Sequence, residues 1–140
     1  MKTLLIKNGY VVNPADNFEG IADILIEDGV ISKVGEKLKD KADRTVDASG
    51  LTVFPGLVDL HVHLRDPGQE YKEDIATGSE AAAHGGITTL LAMPNTHPPM
   101  DSVSRISYVT NKARTDAHIK IYQASAITKN MSGEELVDIG

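Results

Sequence analysis

Two histidines separated by one residue, His61 and His63, carry the most specific chemistry in this 140-residue chain. They lie in Leu57-Val58-Asp59-Leu60-His61-Val62-His63-Leu64, an aliphatic run that predicts a β-strand. Side chains alternate along a strand, so Leu57, Asp59, His61 and His63 share one face, and Val58, Leu60, Val62 and Leu64 share the other. The aliphatic face is the expected floor for flanking helices. Two imidazoles and a carboxylate on the opposite face need a reason, and a bound metal is a good one. Positions two apart rise ~6.6 Å along a strand, a span over which two imidazoles can lean onto one ion at ~2.0 to 2.1 Å. The alternative is a hydrogen-bonded pair without metal. The run ends in a polar loop, Arg65-Asp66-Pro67-Gly68, and strand ends of this kind are where βα folds place their chemistry.

Other candidates are softer. Arg65 either presents its planar fork to a substrate carboxylate or pairs on the surface with Asp66. Asn95, in Met93-Pro94-Asn95-Thr96 at the end of the second strand, either hydrogen-bonds a substrate from the same face of the sheet or serves turn chemistry beside Pro94. His97 reads as solvent-exposed, His84 as a helix C-terminal residue favourable to the dipole, and His118 as structural, at the wrong end of its strand for the site.

Before Gly50 the elements that must carry these residues are short β-rich runs with turns. Leu4 to Lys7, Asn8-Gly9 and Tyr10 to Val12 read as one hairpin; Ile21 to Glu27, Asp28-Gly29 and Val30 to Val34 read as a second. The charged stretch Glu36 to Arg44 reads as a solvated loop. After Gly50 the rhythm becomes strand, helix, strand, helix. Leu57 to Leu64, Ile87 to Met93 and Ile119 to Ala124 are strand candidates. Helices are predicted from Glu73 to His84 and from a cap at Asp101 or Ser102, with Val103, Ile106, Val109 and Ala113 along one face. Ser132-Gly133-Glu134-Glu135 predicts a capping box for a third helix carrying Leu136, Val137 and Ile139. The resulting α/β class is a parallel sheet with right-handed crossovers, either doubly wound or the start of a (β/α)8 barrel. The division falls between residues 1–50 and 51–140. A barrel takes ~250 residues, so on that reading three βα units are a beginning with open edges that seek a partner.

Composition narrows the chemistry. Lys+Arg 14 against Asp+Glu 20 gives a net charge of −6, which argues against nucleic acid or an anionic membrane as partner. The absence of cysteine leaves only nitrogen and oxygen as metal ligands and fits a reducing compartment. No apolar run approaches the ~18 residues of a membrane span, and the expectation is a soluble, cytoplasmic protein. With no tryptophan and 4% aromatics, the core must be aliphatic.

Asp59 through Gly68, then Gly85-Gly86-Ile87-Thr88-Thr89 and Met93-Pro94-Asn95-Thr96, resembles the N-terminal part of a class I, bacterial-type dihydroorotase of the amidohydrolase superfamily. The resemblance runs across essentially all 140 residues. It implies a small N-terminal β-sandwich segment followed by the first three βα units of a TIM-type barrel. It implies that His61 and His63 are metal ligands, with zinc the expected ion, and that Arg65 and Asn95 hold the substrate carboxylate. The implied reaction interconverts carbamoyl-aspartate and dihydroorotate in pyrimidine synthesis. The family's other ligands come from later strands: a carboxylate or carboxylated lysine on the fourth, histidines on the fifth and sixth, and on the eighth an aspartate that is also the general acid/base. None falls within residues 1–140, so no catalytic acid/base residue is expected here, and these residues alone are expected to lack activity. The open edges lead us to expect a homo-oligomer, and some members of the family bind aspartate transcarbamoylase. Two other readings stay open, an allantoinase or hydantoinase, which Arg65 argues against, and a non-catalytic assembly module.

Overall fold

The computed structural model describes residues 2–138, which divide into two compact units meeting at Pro55 and Gly56. In the first unit, β1 (Thr3–Asn13), β2 (Phe18–Glu27) and β3 (Val30–Gly35) form an antiparallel meander. β4 (Arg44–Asp47) and β5 (Thr52–Val53) both run parallel to β1. The turn at Asp28-Gly29 takes φ of 49° and 82°, the positive values a two-residue hairpin needs.

Two expectations for this unit are corrected. Asn8-Gly9 is not a hairpin turn but a bulge inside one long strand, with the β1–β2 register slipping between Ile6 and Gly9. Asn8 takes the left-handed φ of 61°, and its N–H donates to Oδ1 of buried Asp23 at 2.8 Å. A Cβ on Gly9 would stand 2.7 Å from Val53 Cγ2, so glycine there lets β5 approach. The described residues of this unit also form one five-stranded sheet rather than a two-layer sandwich. β1 is long enough to take β4 against Leu4–Lys7 and β5 against Tyr10–Val11, and both strands extend the same sheet instead of covering it.

The second unit alternates strand and helix: β6 (Leu57–Val62), α1 (Ile75–His84), β7 (Ile87–Ala92), α2 (Val103–Asp116) and β8 (Lys120–Gln123). The three strands are parallel in the order β6-β7-β8. α1 begins two residues later than predicted because Asp74 caps it, accepting from Thr77 N–H at 2.7 Å while Thr77 Oγ1 accepts from Asp74 N–H. Leu64, Ile75, Leu90, Ala92, Met100 and Val109 make the core, which is aliphatic.

Three details of this unit depart from the predicted pattern. Val103 stands on the solvent side of the first turn of α2, 66% exposed, and Ile106, Val109 and Ala113 alone face the core. Val58 and Leu60 are 59% and 69% exposed, so the floor under the helices begins only at Val62 and Leu64. The reason is placement: α1 packs on β7 and α2 on β8, and neither covers the first half of β6. The third helix is absent over residues 132–138, and Ile139 lies outside the described residues. A capping box needs Ser132 to accept from the Glu135 N–H. Instead Ser132 Oγ donates to Lys129 C=O and accepts from Glu134 N–H, while the Glu135 carbonyl takes the Lys129 N–H and its carboxylate pairs with Lys129. The segment becomes a closed loop around a 3-10 turn (Lys129–Met131), pinned by a bridge between Thr128 and Leu136.

Candidate functional site

β6 does not alternate strictly where it matters. Asp59 pairs with Leu90 and Val62 with Ala92, so three steps on β6 match two on β7. The Asp59 carboxylate accepts the His61 N–H at 3.0 Å, which holds the irregular backbone. His61 and His63 lie side by side, ring centroids 5.2 Å apart and planes inclined by 65°. Met93 N–H bonds to Val62 C=O at 2.8 Å and carries the ladder one step past β7. That contact brings Asn95 level with His63, and its Oδ1 lies 2.7 Å from His63 Nδ1.

Arg65 stands just beyond the pair with a left-handed φ of 64°. Its guanidinium has no hydrogen-bond or ion-pair partner among the described residues. The surface pair with Asp66 does not form, because Asp66 turns inward. Its side chain is fully buried, 2.7 Å from Lys112 Nζ and 3.3 Å from the Tyr108 hydroxyl. The hydrogen bond to Asp66 holds the Lys112 ammonium above the ordinary lysine pKa. Lys112 Nζ also sits 5.8 Å from the Tyr108 ring centroid.

The two loops that carry Arg65 and Asn95 are joined directly. His97 N–H donates to Pro67 C=O at 3.0 Å, and Gly68 lies against the His97 backbone. A Cβ on Gly68 would fall 1.8 Å from His97 O, at a φ of +95° that L side chains resist. Gly68→Ala is therefore expected to lower stability by about 2 kcal/mol or more, read as a drop in the urea midpoint at unchanged slope. Of the remaining histidines, His84 sits in the last turn of α1 and His97 is exposed in the loop. His118 precedes β8, where its N–H donates to Ser79 Oγ.

The site thus offers two imidazoles, an unpartnered guanidinium and an amide at the C-terminal ends of two parallel strands. Among the described residues no group of three or more His, Asp or Glu gathers around one point. Its nitrogen donors fit zinc in kind, as half of the set that a closed site requires. Sequence reading named these four residues and missed Lys112 and Tyr108, whose spacing carries no motif; α2 brings them to Asp66 from 46 and 42 residues away.

A family model described as Dihydro-orotase-like matches residues 50–140, the stretch holding β6 to β8 and all four residues. The chain belongs to the dihydroorotase-like family. It is 48% identical over 137 residues to the dihydroorotase of Ruminiclostridium cellulolyticum, covering 98% of this chain and 32% of that protein. It is 45% identical over 138 residues to the dihydroorotase of Aquifex aeolicus, covering 99% and 33%. The chain thus spans about a third of the length of these curated relatives. Among solved structures it is similar to the L-hydantoinase (dihydropyrimidinase) of Arthrobacter aurescens, with a TM-score of 0.83, 32% identity, and coverage of 91% of this chain and 28% of that one. A D-hydantoinase matches with a TM-score of 0.74 and 36% identity, over 91% and 28%. The mixed α/β architecture is thus shared with these hydantoinase structures.

Proposed function

We propose that this chain forms the first part of a dihydroorotase, a zinc-dependent cyclic amide hydrolase interconverting N-carbamoyl-L-aspartate and dihydroorotate in pyrimidine synthesis. The observation that carries the reading is the unpaired Arg65 guanidinium beside the His61–His63 pair, with the neighbouring Asp66 drawn away by Lys112. A substrate with a free carboxylate next to its ring can take the arginine fork through two charge-assisted hydrogen bonds. Hydantoin has no such group. The higher identity to dihydroorotases than to hydantoinases supports the same choice.

In this reading His61 and His63 hold the metal, Arg65 grips the carboxylate, and the Asn95 amide N–H₂ donates to the same group. A bound zinc ion supplies Lewis-acid polarisation of the scissile amide and lowers the pKa of water toward ~7. Ring opening adds the water oxygen to the carbonyl carbon and breaks the C–N bond, with the leaving nitrogen taking a proton. Arg65 orients the ring so that the amide faces the histidines. The further ligands and the acid/base group belong to later strands of the (β/α)8 barrel this reading implies, in which residues 1–50 form a separate β segment. The reading extends to a cytoplasmic homo-oligomer, which exposed Ile21, Val30, Ile31 and Val34 on β2 and β3 support, and to contact with aspartate transcarbamoylase.

Assay of the full-length protein on dihydroorotate, allantoin and hydantoin tests the reading. Preference for dihydroorotate, with Arg65→Met raising KM, is the expected result. Turnover of hydantoin alone overturns it in favour of a hydantoinase.

A further inference from the structure

An amide oxygen accepts hydrogen bonds and cannot donate one, so the 2.7 Å contact between Asn95 Oδ1 and His63 Nδ1 requires the ring to carry its proton on Nδ1. A neutral imidazole has a single N–H, and the lone pair then lies on Nε2. We propose that Asn95 is a positioning residue for metal binding: its carbonyl fixes His63 as the Nδ1–H tautomer and reserves Nε2 as the ligating nitrogen. This rests on the metal-binding part of the function proposed above.

The frame around the contact is built to hold it. Met93 N–H on Val62 C=O lies before Asn95 in the chain, and His97 N–H on Pro67 C=O lies after it, so both sides of the amide are tied to the segment carrying His63. Met100 N–H on Pro94 C=O closes the same loop on itself. The Asn95 side chain is thereby held by backbone at three points, although the residue itself is exposed. A metal-ligating histidine whose second nitrogen is bonded in this way gains a fixed ring orientation, and loss of such a partner typically weakens metal affinity 10- to 100-fold. The amide Nδ2 has no hydrogen-bond partner among the described residues, so one side chain serves the metal ligand with its oxygen and keeps its N–H₂ for a second group. No charge change is needed for this role.

Long-range proton–nitrogen NMR of the metal-free chain, labelled with ¹⁵N-histidine and held at alkaline pH, reads the tautomer directly. The wild-type chain is expected to show His63 as Nδ1–H, and Asn95→Ala to return it toward the Nε2–H form that a free imidazole favours. In the full-length protein, chelator competition is expected to show zinc bound about 10- to 100-fold more weakly by Asn95→Ala. Asn95→Asp keeps the acceptor oxygen and loses the N–H₂, so tautomer and zinc affinity are retained; this variant also controls for folding defects. An Nε2–H ring in the wild-type chain overturns the proposal, as does unchanged zinc affinity in Asn95→Ala. Absence of zinc binding by the wild-type protein instead strikes the functional reading itself, whereas turnover of the wrong substrate with these readouts intact strikes only the substrate assignment.

Discussion

Lys112→Met is expected to destabilise the chain by about 3–5 kcal/mol, the usual consequence of stranding a buried charge by removing its partner. Asp66 is fully buried and Lys112 is 31% exposed, so the lysine reaches inward and the carboxylate has no route to water. Methionine preserves most of the stem that packs beside Tyr108 while deleting the ammonium. What remains for Asp66 is the Tyr108 hydroxyl at 3.3 Å, a long contact to a half-exposed residue. The companion variant decides the cause. Asp66→Leu with Lys112→Met removes both charges and is expected to recover most of the loss, because well-packed apolar pairs replace buried ion pairs at little cost. Urea midpoints at constant slope measure all three proteins. Equal instability of the single and double variants would show that packing, not charge, holds the loop.

The same pair gives a pH dependence with a definite sign. The Asp66 hydrogen bond raises the Lys112 pKa in the folded chain. Its stabilisation is therefore complete below the unfolded value, ~10.4, and is lost as pH rises from there through the raised folded value. Lys33 and Lys129 are raised in the same direction by Asp40 and Glu135, but both pairs are exposed and contribute little. The wild-type chain should lose stability above pH ~10.4 more steeply than Lys112→Met, which lacks the group.

This ion pair marks the limit of what sequence reveals. β2, β3, β6, β7 and β8, both long helices and the Asp28-Gly29 turn follow from local signals, because period, caps and turn dipeptides act over a few residues; the short β4 and β5, which pair with β1 from a distance in sequence, do not. His61 and His63 were legible for the same reason: their spacing is a two-residue property of one strand. The register shift between Asp59 and Val62 was not, since it depends on pairing with β7. Asn8-Gly9 misled because the dipeptide suits a bulge as well as a turn, and a contact with Asp23, 15 residues on, chooses between them. Ser132-Gly133-Glu134-Glu135 misled in the same way: the Gly133 N–H donates to Thr128 Oγ1, and the Ser132 and Glu135 side chains bond Lys129, closing a loop instead of capping a helix. The sequence leaves Arg65 either a substrate carboxylate or a surface pair with Asp66, and only the arrival of α2 decides between them, burying the Asp66 carboxylate and leaving the guanidinium without a partner among the described residues.

On the proposed function, His61→Ala in the full-length protein is expected to lower kcat/KM for dihydroorotate by on the order of 10³-fold or more and to reduce the bound zinc in step. Lewis-acid stabilisation amounts to several kcal/mol, and each 1.36 kcal/mol is a factor of ten. Arg65→Met separates binding from metal chemistry. It removes two charge-assisted hydrogen bonds of about 1.5–3 kcal/mol each, so a loss of about 10²-fold or more concentrated in KM is expected, with zinc retained. His84→Ala, in the last turn of α1, should change neither number. Metal analysis and steady-state kinetics on the three variants form one test. If His61→Ala keeps its zinc and its turnover, the two neighbouring rings are a structural edge-to-face pair, and Arg65 would have to bind its carboxylate beside a metal held entirely by other residues. The separation between the His61 and Arg65 effects matters more than either magnitude, because His61 on β6 and Arg65 in the loop that follows it lie only four residues apart, and a zinc loss confined to one with a KM loss confined to the other assigns the ion to His61 and the substrate to Arg65.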